Sequence, residues 1–307
     1  VKRSPIAPVA LAAAALVALA AGPAAAGPRV VSLDQCADQY VLALAAPGDI
    51  AGLSYRADDA DSELRADLPK GAPLMRADLE SVLAARPDVV VRYWGGDELM
   101  VRRLEARGVR VVKIDEATDF DGVRADVRRV AAALGDPAGG ARLIAAMDRK
   151  LQAAQGAWGG RRALYLTPGG YTAGARTLVG AMLQAAGLVP AAAAPGYGPV
   201  RLEALVLDPP AALVLGFFDP ASLQAQWWSM GRTEAVRRLV EPRTVASLPG
   251  AILGCPAWFA ADGAEELSST AERGRWPVRP EGASRRATPA PPPSLRDTST
   301  VQRGRRG

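Results

Sequence analysis

Histidine does not occur in this sequence, and its absence removes the Ser-His-Asp triad, the Cys-His pair and imidazole ligation of zinc or haem from the chemistry open to the chain. The G-x-x-x-x-G-K phosphate loop, the G-x-G-x-x-G dinucleotide turn and the G-x-S-x-G nucleophile elbow are missing too. Acid–base chemistry would therefore rest on carboxylates. Asp34, Asp38, Asp58, Asp59 and Asp61 are close enough in sequence to suggest an acid pair or a hard-cation site. Asp34, however, stands where a helix N-cap belongs, and 58–61 reads as a polar loop, so capping and solvation are the expectation. Cys36 and Cys255 are the only thiols. An oxidising compartment would permit them to pair, but free cysteine commonly behaves as a small buried hydrophobe, and two separately buried thiols are expected.

The remaining chemistry is non-covalent recognition by rings. Tyr55-Arg56, Tyr93-Trp94-Gly95-Gly96, Tyr171, Phe218, Trp227-Trp228 and Trp258-Phe259 all follow segments that read as strands or lie in later loops, although only 5% of the residues are aromatic. Large rings on loops give flat, rigid contact area to a bulky ligand. Gly95 and Gly96 let the backbone turn sharply beside Trp94, which makes that ring the strongest candidate. Arg56 and Arg92 are candidates for anionic ligand groups, with solvated surface arginine as the commoner fate.

The elements that position these loops alternate between strand and helix, the pattern of α/β layers on mostly parallel sheets. Strands are expected at Arg29–Leu33, Ile50–Ser54, Val89–Arg92 and Val109–Ile114, with helices at Cys36–Ala46, Leu79–Arg86 and Glu98–Arg107. A second lobe repeats the scheme, with strands at Arg162–Leu166 and Leu213–Phe217 and helices at Thr177–Ala186 and Leu202–Leu207. Arg232–Val240, Thr244–Ala246, Ala251–Gly254 and Gly263–Thr270 complete it. Leu79-Glu80-Ser81-Val82-Leu83 followed by Pro87 echoes Leu202-Glu203-Ala204-Leu205-Val206 followed by Pro210 at a constant offset, the mark of an internal repeat. Between the lobes, Leu143, Ala146, Met147 and Leu151 fall at helical spacing from Pro137 to about Gln155, which predicts a stiff spine of roughly 28 Å. In open parallel sheets the ligand site lies beyond the carboxyl ends of the strands, where the rings are.

A chain of 307 residues with 49% hydrophobic content has room for two such domains. Lys2 and Arg3, the apolar run Val9–Ala21 and Ala24-Ala25-Ala26 read as an export signal cleaved before Gly27. The excess positive charge lies at the ends: Lys2 and Arg3, and seven arginines against Glu281 and Asp297 in residues 276–307. The part between is close to neutral, which argues against a nucleic-acid partner. Residues 276–307, rich in Pro, Arg, Ser and Thr, are expected to be a disordered basic tail. The domain reading is thus a signal at 1–26, an N-terminal lobe at 27–136, an interlobe helix at 137–157, a C-terminal lobe at 158–275 and the tail.

In the motifs Arg29-Val-Val-Ser-Leu-Asp-Gln-Cys-Ala-Asp-Gln, Asp78-Leu-Glu-Ser-Val-Leu-Ala-Ala-Arg-Pro-Asp-Val-Val and Tyr93-Trp94-Gly95-Gly96, the chain resembles the periplasmic vitamin-B12 and ferric-siderophore binding proteins of ABC importers, over about residues 28–270. The resemblance implies two Rossmann-like lobes joined by a single long helix, a metal chelate held between them (cobalamin or another corrinoid, or a ferric siderophore), delivery to a permease and ATPase complex, a periplasmic location and a monomer without cofactor. It implies ligand contacts at Trp94, Tyr171, Trp228 and Trp258, joined by Tyr55, Arg56 and Tyr93 from their loops, and permease contacts at Glu80 and Glu203. The lack of histidine departs from some haem-binding relatives and weighs against haem. A secreted enzyme using carboxylates alone and a receptor-docking sensor domain are the alternatives.

Overall fold

The structure, a computed structural model, describes residues 27–217 and 238–274. The expected export signal, Phe218, Trp227, Trp228, most of the Arg232–Val240 segment and the tail from 276 lie outside the described residues.

Val30–Ser32 (β1), Ile50–Ser54 (β2), Leu74–Met75 (β3), Val89–Arg92 (β4) and Arg110–Lys113 (β5) form one sheet in the order β3-β2-β1-β4-β5, with every pairing parallel. A parallel sheet is covered on both faces, which is why consecutive valines, Val30-Val31 in β1 and Val89-Val90-Val91 in β4, are all buried. Val30, Val89 and Val91 point to one buried cluster, and Val31 and Val90 to another. Gln35–Leu44 (α1) covers the first face, and Leu79–Ala84 (α2) and Glu98–Glu105 (α3) contribute Val82, Met100 and Leu104 to the second.

Two consecutive helices follow, Phe120–Leu134 (α4) and Pro137–Ala154 (α5). The expected spine is α5, which at 18 residues is about 27 Å long. The sequence reading passed over α4, although Asp119 caps it, Gly135 closes it at φ +79°, and Phe120, Val123, Val127, Val130 and Leu134 line one face. The two helices cross closely because Gly140 leaves room for Ala131; a Cβ there would lie 2.5 Å from the alanine methyl. Arg124 joins them through Asp148 at 2.6 Å.

The second sheet is built from Arg161–Leu166 (β6), Leu188–Pro190, Ala212–Gly216 and Thr244–Leu248, all in parallel pairings. Tyr171–Ala173 (β7) precedes Leu188–Pro190 (β8), and Tyr197–Pro199 (β9) precedes Ala212–Gly216 (β10) and Thr244–Leu248 (β11). The order is β11-β10-β6-β8, while β7 and β9 make a separate antiparallel pair that the sequence reading did not anticipate. Leu178–Ala185 (α6), Leu202–Leu207 (α7), Gly250–Leu253 (α8) and Ala260–Glu272 (α9) complete the described helices. The internal repeat has a topological meaning. α2 leads into β4, which pairs with β1, and α7 leads into β10, which pairs with β6, so the echoed segments occupy matching places in two doubly wound sheets.

Six helix starts follow one rule. Asp34, Asp78, Asp97, Asp119, Asp136 and Thr177 each accept the backbone N–H of the third residue onward, satisfying a donor that the helix leaves open. α7, α8 and α9 are different, with Arg201, Pro249 and Phe259 at their N-caps and no side-chain cap bond.

The two halves share a core. One buried cluster runs from Val30 and Val89 through Tyr40 and Met147 to Ala163, Val214 and Leu267. α1 is buried nearly all round because one flank meets β1 and β4 and another meets the second half. There the Tyr40 hydroxyl donates to the Pro256 carbonyl at 2.7 Å, and Cys36 is joined to Cys255 in a disulfide spanning 219 positions of sequence. The expectation of two separately buried thiols is therefore corrected. The thiols are buried, but strand order brings α1 against the loop after α8, and the sulfurs meet there.

Asp38, fully buried in α1, ties β1 to β2. It takes the Ser32 hydroxyl, the Ser54 hydroxyl at 2.5 Å and the Ser54 N–H at 2.8 Å. Burial outweighs these hydrogen bonds and pushes its carboxyl up to about 6. Because the folded value lies above the unfolded 3.8, the associated stability is full below pH 4 and is lost as pH rises through 6. Relative to Asp38→Asn, the native protein should lose roughly 3 kcal/mol of unfolding free energy between pH 4 and pH 7. Urea melts at several pH values check this, and a flat difference between the two proteins would refute it.

Candidate ligand-binding site

The first sheet changes winding direction between β1 and β4, and the carboxyl ends of those strands frame the crevice where doubly wound sheets bind ligands. Asp34 stands at that point. Its Oδ1 accepts the Ala37 N–H at 2.9 Å, and its Oδ2 accepts the N–H groups of Tyr93, Trp94 and Gly95 at 2.7, 3.1 and 2.8 Å. One buried carboxylate thus starts α1 and winds the loop after β4 around itself. Gly95 is required because a Cβ would lie 2.4 Å from the Leu33 carbonyl oxygen, and Gly96 turns at φ +73°. The capping role expected for Asp34 holds, with a second role as the anchor of the ring-bearing loop.

That loop sends its rings different ways. Trp94 is 54% exposed, whereas Tyr93 is half-buried and its hydroxyl donates to Glu116. Tyr93 lines a cavity of about 150 Å³ between the halves, with Glu116 and Ala117 from beyond β5, Tyr197 from β9, and an apolar wall that includes Leu178, Met182 and Ile252. Cys255 and Pro256 also line it, so the disulfide borders the cavity. Burial, and after it the neighbouring Glu116, pushes the phenols of Tyr93 and Tyr197 up, which keeps both protonated as hydrogen-bond donors.

Tyr55 is 62% exposed after β2, and Arg56 beside it is paired with Asp59 at 2.6 Å. Arg92 is buried, donating to the Gly96 carbonyl at 3.0 Å and pairing with Glu98 at 3.3 Å, so it braces its own loop. Tyr171 is 55% exposed on β7. Trp258 is half-buried and packs edge-on against Tyr40, ring centres 5.2 Å apart, and against Phe259 at 5.5 Å. Of the ligand-contact candidates only Tyr93 lines the cavity; Trp228 lies outside the described residues. Glu80 and Glu203 are exposed in the first turns of α2 and α7.

The two polar cavity residues besides Tyr93, Glu116 and Tyr197, were not among the expected site residues. Glu116 follows the strand expected at Val109–Ile114 by two positions, and the rule that selected Tyr93 applies to it equally. Tyr197 sits in Gly196-Tyr197-Gly198, and only the pairing of β9 with β7 sets its position.

Two doubly wound sheets that meet at a cavity lined by phenols, one carboxylate and an apolar wall describe a ligand-binding protein of two halves. The chain belongs to the periplasmic binding protein family, which matches residues 30–250. It is a family of binding proteins, so the alternative of a carboxylate enzyme falls. The chain is 27% identical over 164 residues to a cobalamin-binding protein of Halobacterium salinarum, a match covering 52% of this chain and 44% of that relative, less than half its length. Among solved structures it is similar to the periplasmic heme-binding protein BhuT (24% identity, 80% of this chain and 99% of that one, TM-score 0.62). It is also similar to the periplasmic vitamin B12 binding protein of Vibrio cholerae (14%, 81% and 98%, TM-score 0.58). These likenesses show the expected fold, two parallel α/β halves with a long helix between them. No helix among the described residues is long and apolar enough to cross a membrane.

Proposed function

We propose that this protein is exported, with cleavage before Gly27, and carries a metal chelate through the periplasm, as a monomer, to the permease and ATPase of an ABC importer. The chelate is a cobalamin or related corrinoid, or a ferric siderophore. The observation that carries this reading is the cavity shared by residues from beyond β5 and from α6, α8 and β9, at the edge where Trp94 and Tyr55 present exposed rings. In this reading residues 27–136 and 158–275 are the two lobes, 137–157 links them, and Tyr55, Arg56, Tyr93, Trp94, Tyr171, Trp228 and Trp258 supply the ligand surface. Glu80 and Glu203 meet the permease. Support comes from the family and from the cobalamin-binding relative. The chain has no histidine, so imidazole ligation of a haem iron is not open to it.

Calorimetric titration of the purified protein with cyanocobalamin and with a panel of ferric siderophores tests the reading. Saturable one-to-one binding of one class is expected. Folded protein that binds none of them would refute it.

A further inference from the structure

Resting on the chelate-carrier reading, we propose that the cavity between the halves receives an uncharged carboxamide arm of the chelate, and that Glu116 selects this arm over a carboxylate. The cavity, at about 150 Å³, is smaller than the roughly 300–1,000 Å³ of pockets that enclose a whole small ligand. It suits a side arm while the body of the chelate rests outside, beside the exposed rings.

Its chemistry is one-sided. Among the described residues, Glu116 is the single charged one that lines it, and no lysine or arginine does. The Tyr93 hydroxyl donates to Oε2 of Glu116. Among the described residues no hydrogen bond takes Oε1, which leaves that oxygen for a ligand N–H. The wall formed by Leu178, Val179, Met182, Ile252 and Leu253 matches the methylenes of an arm. The Tyr197 hydroxyl is a donor suited to the arm's carbonyl.

A carboxylate arm would meet Glu116 with no counter-ion among the described lining residues. Arg56 is engaged by Asp59 and Arg92 by Gly96 and Glu98, and Arg176, exposed on the loop before α6, is not among the described residues that line the cavity. Like charges brought together in a desolvated site oppose binding strongly. Corrinoids, whose rim carries carboxamide arms, satisfy this cavity, whereas polyanionic ferric chelates do not.

The test is a calorimetric series on the whole protein with cyanocobalamin, its isomeric monocarboxylates, each with one carboxamide hydrolysed, and a ferric tricatecholate. One monocarboxylate isomer, the one whose altered arm enters the cavity, should bind at least about tenfold more weakly than cyanocobalamin. Glu116→Gln, which keeps an acceptor oxygen and removes the charge, should shrink that gap to about threefold or less while still binding cyanocobalamin. Equal affinity for every isomer, or tighter binding of the tricatecholate, would overturn the arm assignment and leave the carrier reading standing. Failure of the folded protein to bind any of these chelates, or other ferric siderophores, would overturn the carrier reading and the arm with it. If Glu116→Gln does not fold, the native series alone decides.

Discussion

Replacing Cys36 and Cys255 together by alanine should lower the unfolding free energy by about 3–5 kcal/mol and the thermal midpoint by about 10 °C. The disulfide closes a loop spanning 219 positions of sequence, and a cross-link over so long a loop removes much of the freedom of the unfolded chain. Both residues are buried, at 3% and 6% exposure, so alanine leaves only small voids. Each single substitution breaks the same bond. Either alone should therefore cost nearly as much as the pair, a strong departure from additivity. The effect reaches the site as well. Cys255 and Pro256 border the cavity, and Tyr40, one turn along α1 from Cys36, bonds the Pro256 carbonyl and packs on Trp258. Without the cross-link these contacts still close the halves, and ligand affinity should fall far less than stability. Denaturant melts of the single and double variants, with reductant-treated native protein as a reference, measure this. A double variant within about 1 kcal/mol of the native protein would sink it.

What the sequence disclosed and what it withheld divide along a physical line. The strands at Ile50–Ser54 and Val89–Arg92 and the helix at Leu202–Leu207 were legible to the residue, and β1 and β10 to within one, because a short apolar run or a start and stop signal is local. α4 carries equally local signals in Asp119, Gly135 and its apolar stripe. Strand order is a different matter. Nothing local says that β1 lies between β2 and β4, yet that adjacency puts Asp34 under the N–H groups of Tyr93, Trp94 and Gly95 and makes one aspartate the organiser of the loop. The meeting of Cys36 with Cys255, the edge-on packing of Trp258 on Tyr40 and the inward turn of Arg92 have the same origin. Ring-rich loops could be found in the sequence, but which rings remain free depends on neighbours brought from far along the chain.

The largest functional effect is expected from Glu80→Ala combined with Glu203→Ala, which should reduce uptake in cells by at least about tenfold while leaving ligand affinity within about twofold. The two carboxylates are exposed on helices that hold matching places in the two sheets. Each helix runs into the amino end of its strand, so each glutamate lies near the carboxyl-end edge, on the same side as the ligand loops. A pair arranged this way suits two arginines on a permease of two like subunits, since a charge-assisted contact from each half fixes both orientation and register. Neither residue lines the cavity, so binding should be untouched. The fold should change little too, because an exposed acid in a first helical turn contributes about 0.3–1 kcal/mol through the helix dipole. That cost falls unequally. α2 keeps its Asp78 cap, whereas α7 has no side-chain cap and leans more on Glu203, so Glu203→Ala should be the more destabilising single change. Glu203→Gln, which preserves bulk and hydrogen bonding, should rescue part of the stability but not the uptake. Parallel calorimetry, thermal melts and uptake assays separate these effects. Unchanged uptake in the double variant, or a loss of ligand affinity that accounts for the transport defect, would remove the docking role from both residues.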